Sequence, residues 1–193
     1  NAAYMAGSRP DNAAIIKLDS MNCVRELAYD PVIPRWAGSD DLSCKAKIYR
    51  DDNGLHMRFE VRDDRHMAKA SGSDIWKNDS VQIAMSAADG VSIEVTLADS
   101  PSGPTAWMHS APTGETPGSW KHPFSVKRQN GVTTYEIFAP YAILGMKGNT
   151  GERLRMAFLI NEDDGLGRVR FMEWFGGIGS SKNPDDYGWL QLE

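Results

Sequence analysis

The run Gly54-Leu55-His56-Met57-Arg58-Phe59-Glu60-Val61-Arg62 decides the fold class. Leu55, Met57, Phe59 and Val61 alternate with His56, Arg58, Glu60 and Arg62. Successive side chains of an extended chain point to opposite faces, so one face is apolar and the other polar, the mark of a half-buried strand. The same alternation returns at residues 80–85, 91–97, 133–138, 154–160, 168–174 and 187–192. Turn chemistry separates these runs at Asp51-Asp52-Asn53-Gly54, Asp89-Gly90 and Asn130-Gly131. The best helical stretch, 140–144, spans about one turn. Many short strands between such turns predict an all-β fold, an antiparallel β-sandwich of two twisted sheets.

The 193 residues fit one domain, with 1–30 as an N-terminal strand or lead-in and 99–124 as one long Pro/Gly-rich loop. The formal net charge is −5 and Lys and Arg form no cluster, which argues against a nucleic-acid partner. The same balance gives no reason to expect an anionic membrane, and no apolar run approaches the roughly 18 residues of a spanning helix. A monomer is the expected state. A first residue Asn1 in place of Met suits a chain whose leader was removed or a module excised from a longer protein. Cys23 and Cys44 form no CxxC pair, so a cysteine zinc site is not expected. They are a candidate disulfide across neighbouring strands in an oxidising compartment, or two buried thiols.

Catalytic signatures are sparse. A glycosidase needs two carboxylates flanking the scissile bond. The acid pairs Asp40-Asp41, Asp51-Asp52, Asp63-Asp64, Asp163-Asp164 and Asp185-Asp186 sit beside predicted turns, where Asp is favoured for local hydrogen bonding. Gly179-Ser180-Ser181 does not make a nucleophile elbow, and Gly165-Leu166-Gly167-Arg168 lacks the third glycine of a dinucleotide fingerprint. His56, His66, His109 and His122 show no HExxH spacing. Asp63, Asp64 and Asp74 are candidate oxygen ligands for a structural calcium ion, although their spacing fits no EF-hand loop.

A binding surface remains. Sugars present apolar CH faces and rings of hydroxyls, so a site for them wants an aromatic plate edged by amides and carboxylates. Trp76 directly precedes the predicted strand 80–85. With Val81, Ile83 and Met85 in the core, Gln82 faces outward, and on the next strand Ile93 and Val95 put Glu94 outward. A hairpin about Asp89-Gly90 would set Gln82 and Glu94 side by side near Trp76; the same pattern also describes a solvated outer face. In the loop 99–124, Trp107 and Trp120 are either binding platforms or pins that hold the loop to the core.

At Asp74-Ile75-Trp76-Lys77-Asn78-Asp79-Ser80-Val81-Gln82-Ile83 the chain resembles the hallmark Trp-x-x-Asp-Ser-Val-Glu-Ile of carbohydrate-binding module family 9. Val61-Arg62-Asp63-Asp64 resembles the family's Val-x-Asp turn, 156–163 its Asn-Asp stretch, and Asn183-Pro184 with Tyr187-Gly188-Trp189-Leu190 its C-terminal segment. The resemblance covers roughly residues 31–192. It implies a secreted, periplasmic or cell-surface β-sandwich, non-catalytic, that binds an oligo- or polysaccharide. Such modules accompany a covalently linked catalytic domain, travel with glycoside hydrolases in polysaccharide degradation, and carry structural calcium. By position Trp76 matches the first of two tryptophans that sandwich the sugar. Gln82 stands where the family has a sugar-contacting Glu, and Glu94 where it has an Arg. Asn161 and Asn183 join the candidate carbohydrate-binding set through the matched segments. The second tryptophan belongs in the loop before Asn183, yet residues 176–182 contain no aromatic, so Trp107 or Trp120 would have to complete the clamp.

Two other readings compete. The wider class of sandwiches includes haem-b redox modules with Met and His or Lys axial ligands, and this chain carries Met57, Met67, Met85 and His66; Met57 and Met85, however, sit at core spacing. A β-sandwich hydrolase or lyase would need carboxylates or histidines converging near Trp76.

Overall fold

A computed structural model describes residues 3–27, 32, 34–87, 91–112 and 114–193. Among the described residues there are fourteen strands: β1 (Tyr4–Ala6), β2 (Ala14–Leu18), β3 (Val24–Glu26), β4 (Leu42–Arg50), β5 (Gly54–Asp63), β6 (Ser80–Ala87), β7 (Ser92–Ala98), β8 (Thr105–Ser110), β9 (Gly118–Ser119), β10 (Phe124–Gln129), β11 (Val132–Pro140), β12 (Arg153–Asp163), β13 (Arg168–Trp174) and β14 (Gly188–Leu192). The short helix α1 (Tyr141–Leu144) follows Pro140 and ends at Gly145, whose φ of 68° is the left-handed conformation glycine adopts freely. β5, the strand read first from the sequence, buries Leu55, Met57, Phe59 and Val61 as expected.

The strands form two sheets. The larger runs β1-β14-β12-β6-β7-β8-β9, with β13 pairing β12 beyond β14 and β3 pairing β13. The smaller runs β10-β11-β5-β4-β2. Among the described residues every pairing is antiparallel except β1 with β14. The core lies between the sheets: Phe59 of β5 meets Phe158 of β12 edge-on at 5.0 Å, and Trp174 of β13 stacks on Phe158 at 5.4 Å. Full burial of a side chain such as Phe59 stabilises the fold by roughly 1.5–3 kcal/mol. Met57 and Met85 are both filler of this core.

Local chemistry explains the turns. The Asp51 carboxylate accepts hydrogen bonds from the N–H groups of Asn53 (2.7 Å) and Gly54 (3.0 Å), which closes the β4–β5 turn. Asn130 and Gly131 both have positive φ, 53° and 76°, as a two-residue hairpin between β10 and β11 requires. The expected turn at Asp89-Gly90 lies outside the described residues, but the hairpin it would close is present as the β6–β7 pair.

Two expectations need correction. The segment 99–124 is not one loop: it contains β8 and β9, and β8 alternates Ala106 and Met108 inward with Trp107 and His109 on the other side. The flanking prolines had hidden this short strand. Cys23 and Cys44 form no disulfide and are free thiols. Cys44 points into the core from β4, whereas Cys23 ends a 3-10 turn with its sulfur 3.8 Å from the Ser20 hydroxyl.

Buried charge fastens the N-terminal part to the larger sheet. Arg170 of β13 is wholly buried, and its guanidinium donates to Glu162 of β12, to Glu26 of β3 (3.0 Å) and to the Pro34 carbonyl. With Glu162 also fully enclosed, breaking this pair by removing one partner would cost about 3–5 kcal/mol.

Candidate carbohydrate-binding cleft

The outer face of the larger sheet carries the site. β6 turns Val81, Ile83 and Met85 to the core, so Gln82 and Ala84 lie on the outer face; β7 likewise places Glu94, half-buried, and Thr96, buried, on that face. A second apolar cluster of Ala84, Ala157, Leu159, Phe171, Ile178 and Tyr187 covers the β12–β13 side of this face. What stays open is a cleft of about 490 Å³ lined by Trp76, Gln82, Glu94, His109, Ser110, Arg168, Ile178, Gly179 and Lys182.

The sequence expectation that Gln82 and Glu94 stand together holds. The register pairs Gln82 with Thr96 and Ala84 with Glu94, so the two are diagonal neighbours, and the Gln82 amide donates to Glu94 at 2.9 Å. Gln82 is itself held from behind: Asn161 donates to its carbonyl at 3.1 Å and to the Ser80 hydroxyl at 2.9 Å. Across the cleft Lys182 reaches both Glu94 oxygens, at 2.8 and 2.9 Å. His109 meets the Thr96 hydroxyl at 2.8 Å, and burial lowers its pKa, so the ring is neutral at pH 7.

Trp76 sits on the 3-10 turn Gly72–Lys77 that leads into β6. Two cations approach its ring, Lys77 with its ammonium 5.8 Å and Arg168 with its guanidinium carbon 5.5 Å from the centroid. Arg168 also lies 4.6 Å from the Phe171 ring centre.

The other sequence candidates are dispersed. Asn161 is buried and supports Gln82 without lining the cleft. Trp107 opposes Thr96 on the same outer face and lies beside Gly72, but the cleft does not include it. Trp120 is a core residue, 5% exposed and edge-on to His122, so it pins its segment to the interior. Asn183 caps the 3-10 turn Pro184–Asp186 by accepting from the Asp185 N–H. Core burial keeps Trp120 out of any aromatic clamp, while Trp107 stands on the outer face beside the cleft lining. Sequence reasoning missed His109, Ser110, Arg168, Ile178, Gly179 and Lys182. The alternation in β8 could have found His109; Arg168 and Lys182 have no local signature.

The acidic cluster is also rearranged. Asp64 is exposed, and Asp74 is exposed and paired with Lys77 at 3.0 Å. Asp63 instead meets His66 and Asp79, with one potential ligand atom from each lying within 4.8 Å of the others. Asp79 accepts from the N–H groups of Met67 and Asp163. Burial, with the charges of Asp63 and Asp163 beside it, pushes its carboxyl up to about 9. Both ring nitrogens of His66 are enclosed without a hydrogen-bond partner.

The sequence matches the family described as "Carbohydrate family 9 binding domain-like" over residues 22–193. The chain belongs to that family. Among solved structures, a family 9 carbohydrate-binding module from Caldicellulosiruptor kristjanssonii in complex with cellotriose is similar to this member with a TM-score of 0.73 at 15% identity, covering 100% of this chain and 94% of that one. A second module from that organism, in complex with glucose, has a TM-score of 0.58 at 21% identity over 79% of this chain and 77% of that one. At such identities the likeness concerns the fold. No curated protein matches. Like those solved modules, this family 9 domain is a two-sheet sandwich.

Proposed function

We propose that this domain binds an oligo- or polysaccharide, without catalysis, in the cleft between Trp76 and Lys182, as an accessory module of a secreted polysaccharide-degrading enzyme. The observation that carries this reading is the cleft in a family 9 domain: an indole at one side and the linked donors and acceptors of Gln82, Glu94 and Lys182 on its floor and rim. Such a set matches the CH faces and hydroxyls of a sugar. Two similar family 9 modules form complexes with cellotriose and with glucose, which supports the same ligand class here. The family match to a binding domain supports a binding role, and the carboxylate of the described lining, Glu94, is tied to Lys182 and Gln82.

Calcium belongs to the same proposal, with a changed ligand set. Asp63 and Asp79 would hold the ion, with His66 adjacent; a carboxylate cluster that burial makes costly to ionise fits a divalent cation. When bound, the ion would neutralise that cluster and tie the segment after β5 to the start of β6.

Titration calorimetry against cellobiose, xylobiose, longer oligosaccharides and their reduced alditols tests the binding reading, with Trp76→Ala alongside. A saturable signal that the variant loses supports it, and loss on reduction to the alditol would assign the reducing end. A flat panel with folded protein refutes the cleft as a saccharide site.

A further inference from the structure

Cations elsewhere in the fold illustrate how the protein usually treats them. Arg170 is paired with Glu162 and Glu26. On the smaller sheet a groove of about 810 Å³ contains Arg58, which is paired with Glu60 at 3.0 Å and Glu136 at 2.7 Å. Arg155 reaches Asp185 at 3.2 Å. Arg168 differs from all of these.

Arg168 lines the cleft, yet among the described residues its guanidinium has no hydrogen bond and no ion pair. Its Nε and Nη2 are enclosed without a partner. Its guanidinium carbon lies 5.5 Å from the Trp76 ring centre and 4.6 Å from that of Phe171, rings that supply no hydrogen-bond acceptor in the plane of the fork. Enclosing an uncompensated guanidinium is costly, and burial lowers its pKa to about 10. The one carboxylate of the cleft does not relieve it, because Glu94 is neutralised by Lys182 through both oxygens. Among the described residues the lining therefore carries two cations against one carboxylate, and Arg168 has no anion beside it.

We infer that the ligand supplies that anion: the cleft recognises an acidic saccharide, a uronate-containing oligosaccharide whose carboxylate sits on Arg168. This inference rests on the reading of the cleft as the saccharide site and names its ligand class. A hexuronate suits the arrangement on chemical grounds. Its carboxylate can accept a charge-assisted N–H bond from Nη1, the one guanidinium nitrogen that is not enclosed, and its charge compensates the cation whose Nε and Nη2 stay buried. Its ring keeps the hydroxyls that Gln82, Glu94 and Lys182 can address. A neutral hexose would leave Arg168 as it stands, half-enclosed and unpaired. The overall charge of −5 opposes anions at long range, so the preference is a property of the cleft alone.

The test is calorimetry on the unaltered chain with glucuronate- and galacturonate-containing di- and trisaccharides, each beside its methyl ester, and with cellobiose and xylobiose. Esterification removes the charge and keeps the sugar. The free acid is expected to bind at least about tenfold more tightly than its ester, as for loss of one charge-assisted pair. The ratio should fall towards one in Arg168→Gln and recover in part in Arg168→Lys. Equal affinity for acid and ester overturns the inference, and if neutral oligosaccharides still bind, the saccharide site itself survives. No binding by any sugar overturns both. Because the acid–ester comparison uses the unaltered protein, it decides even if Arg168→Gln does not fold.

Discussion

Replacing Asn161 with alanine should destabilise the domain by about 2–4 kcal/mol, although the residue does not line the cleft. Asn161 is 1% exposed and donates to Ser80 and to Gln82. Its loss leaves the Gln82 carbonyl, on a side chain 5% exposed, without a donor; an orphaned buried acceptor costs about 1–3 kcal/mol. The lost Ser80 bond adds about 1 kcal/mol, since that hydroxyl keeps its bond to the Asn78 carbonyl. For a chain of this length a loss of ~3 kcal/mol lowers Tm by roughly 6–12 °C. Thermal unfolding followed by far-UV circular dichroism, with a urea midpoint as a second readout, measures it. The companion variant Gln82→Leu closes a double-mutant cycle: removing both partners leaves no orphaned carbonyl, so the double variant should be more stable than the sum of the singles by about 1 kcal/mol or more. A Tm within about 2 °C of the parent for Asn161→Ala, or strict additivity in the cycle, would refute the claim that this buried pair organises the cleft floor.

Three further outcomes are expected. Calcium should raise Tm and a chelator should lower it, with stabilisation of about 2.7 kcal/mol at a hundredfold excess over Kd, and Asp79→Asn should abolish the response; a Tm indifferent to both rejects the ion at Asp63 and Asp79. The His109 ring should titrate below the ordinary value of 6.5 in an NMR pH series. Its neutral form is favoured by the fold, so this contribution to stability is full above that value and is lost as pH falls through the lowered pKa; a midpoint at or above 6.5 contradicts the buried placement against Thr96. Cys44 should resist thiol reagents in the native state, because burial and the charge of Glu60 hold its thiol well above the usual range; a Cys23→Ser variant that still reacts at the rate of the unfolded chain would show that the β4 face is open.

The sequence by itself determined the sandwich, the strand faces and half of the cleft. Alternation in β5, β6, β7, β12 and β13 is a local property, written every second residue, and it places side chains on faces whichever partner strand they meet. It therefore put Gln82 and Glu94 outward and together, two residues that tertiary pairing then joined by a hydrogen bond. The same local chemistry located the turns at Asp51 and Asn130. What only the tertiary structure decided depends on meetings between residues far apart in the chain. Lys182 reaches Glu94 across 88 positions, and Asn161 reaches Gln82 across 79. Trp120 and Trp107 share one Pro-rich stretch, yet one is core and the other outer face, because β8 and β9 join the sheet there. Asp79 joined Asp63 and His66 while Asp64 and Asp74 turned to solvent, since a carboxylate's neighbours are set by where its backbone segment docks and not by its spacing. Arg168 is the sharpest case. Strand pairing sets its place, but its unpaired charge is visible only once the carboxylate of the cleft lining, Glu94, is seen tied to Lys182.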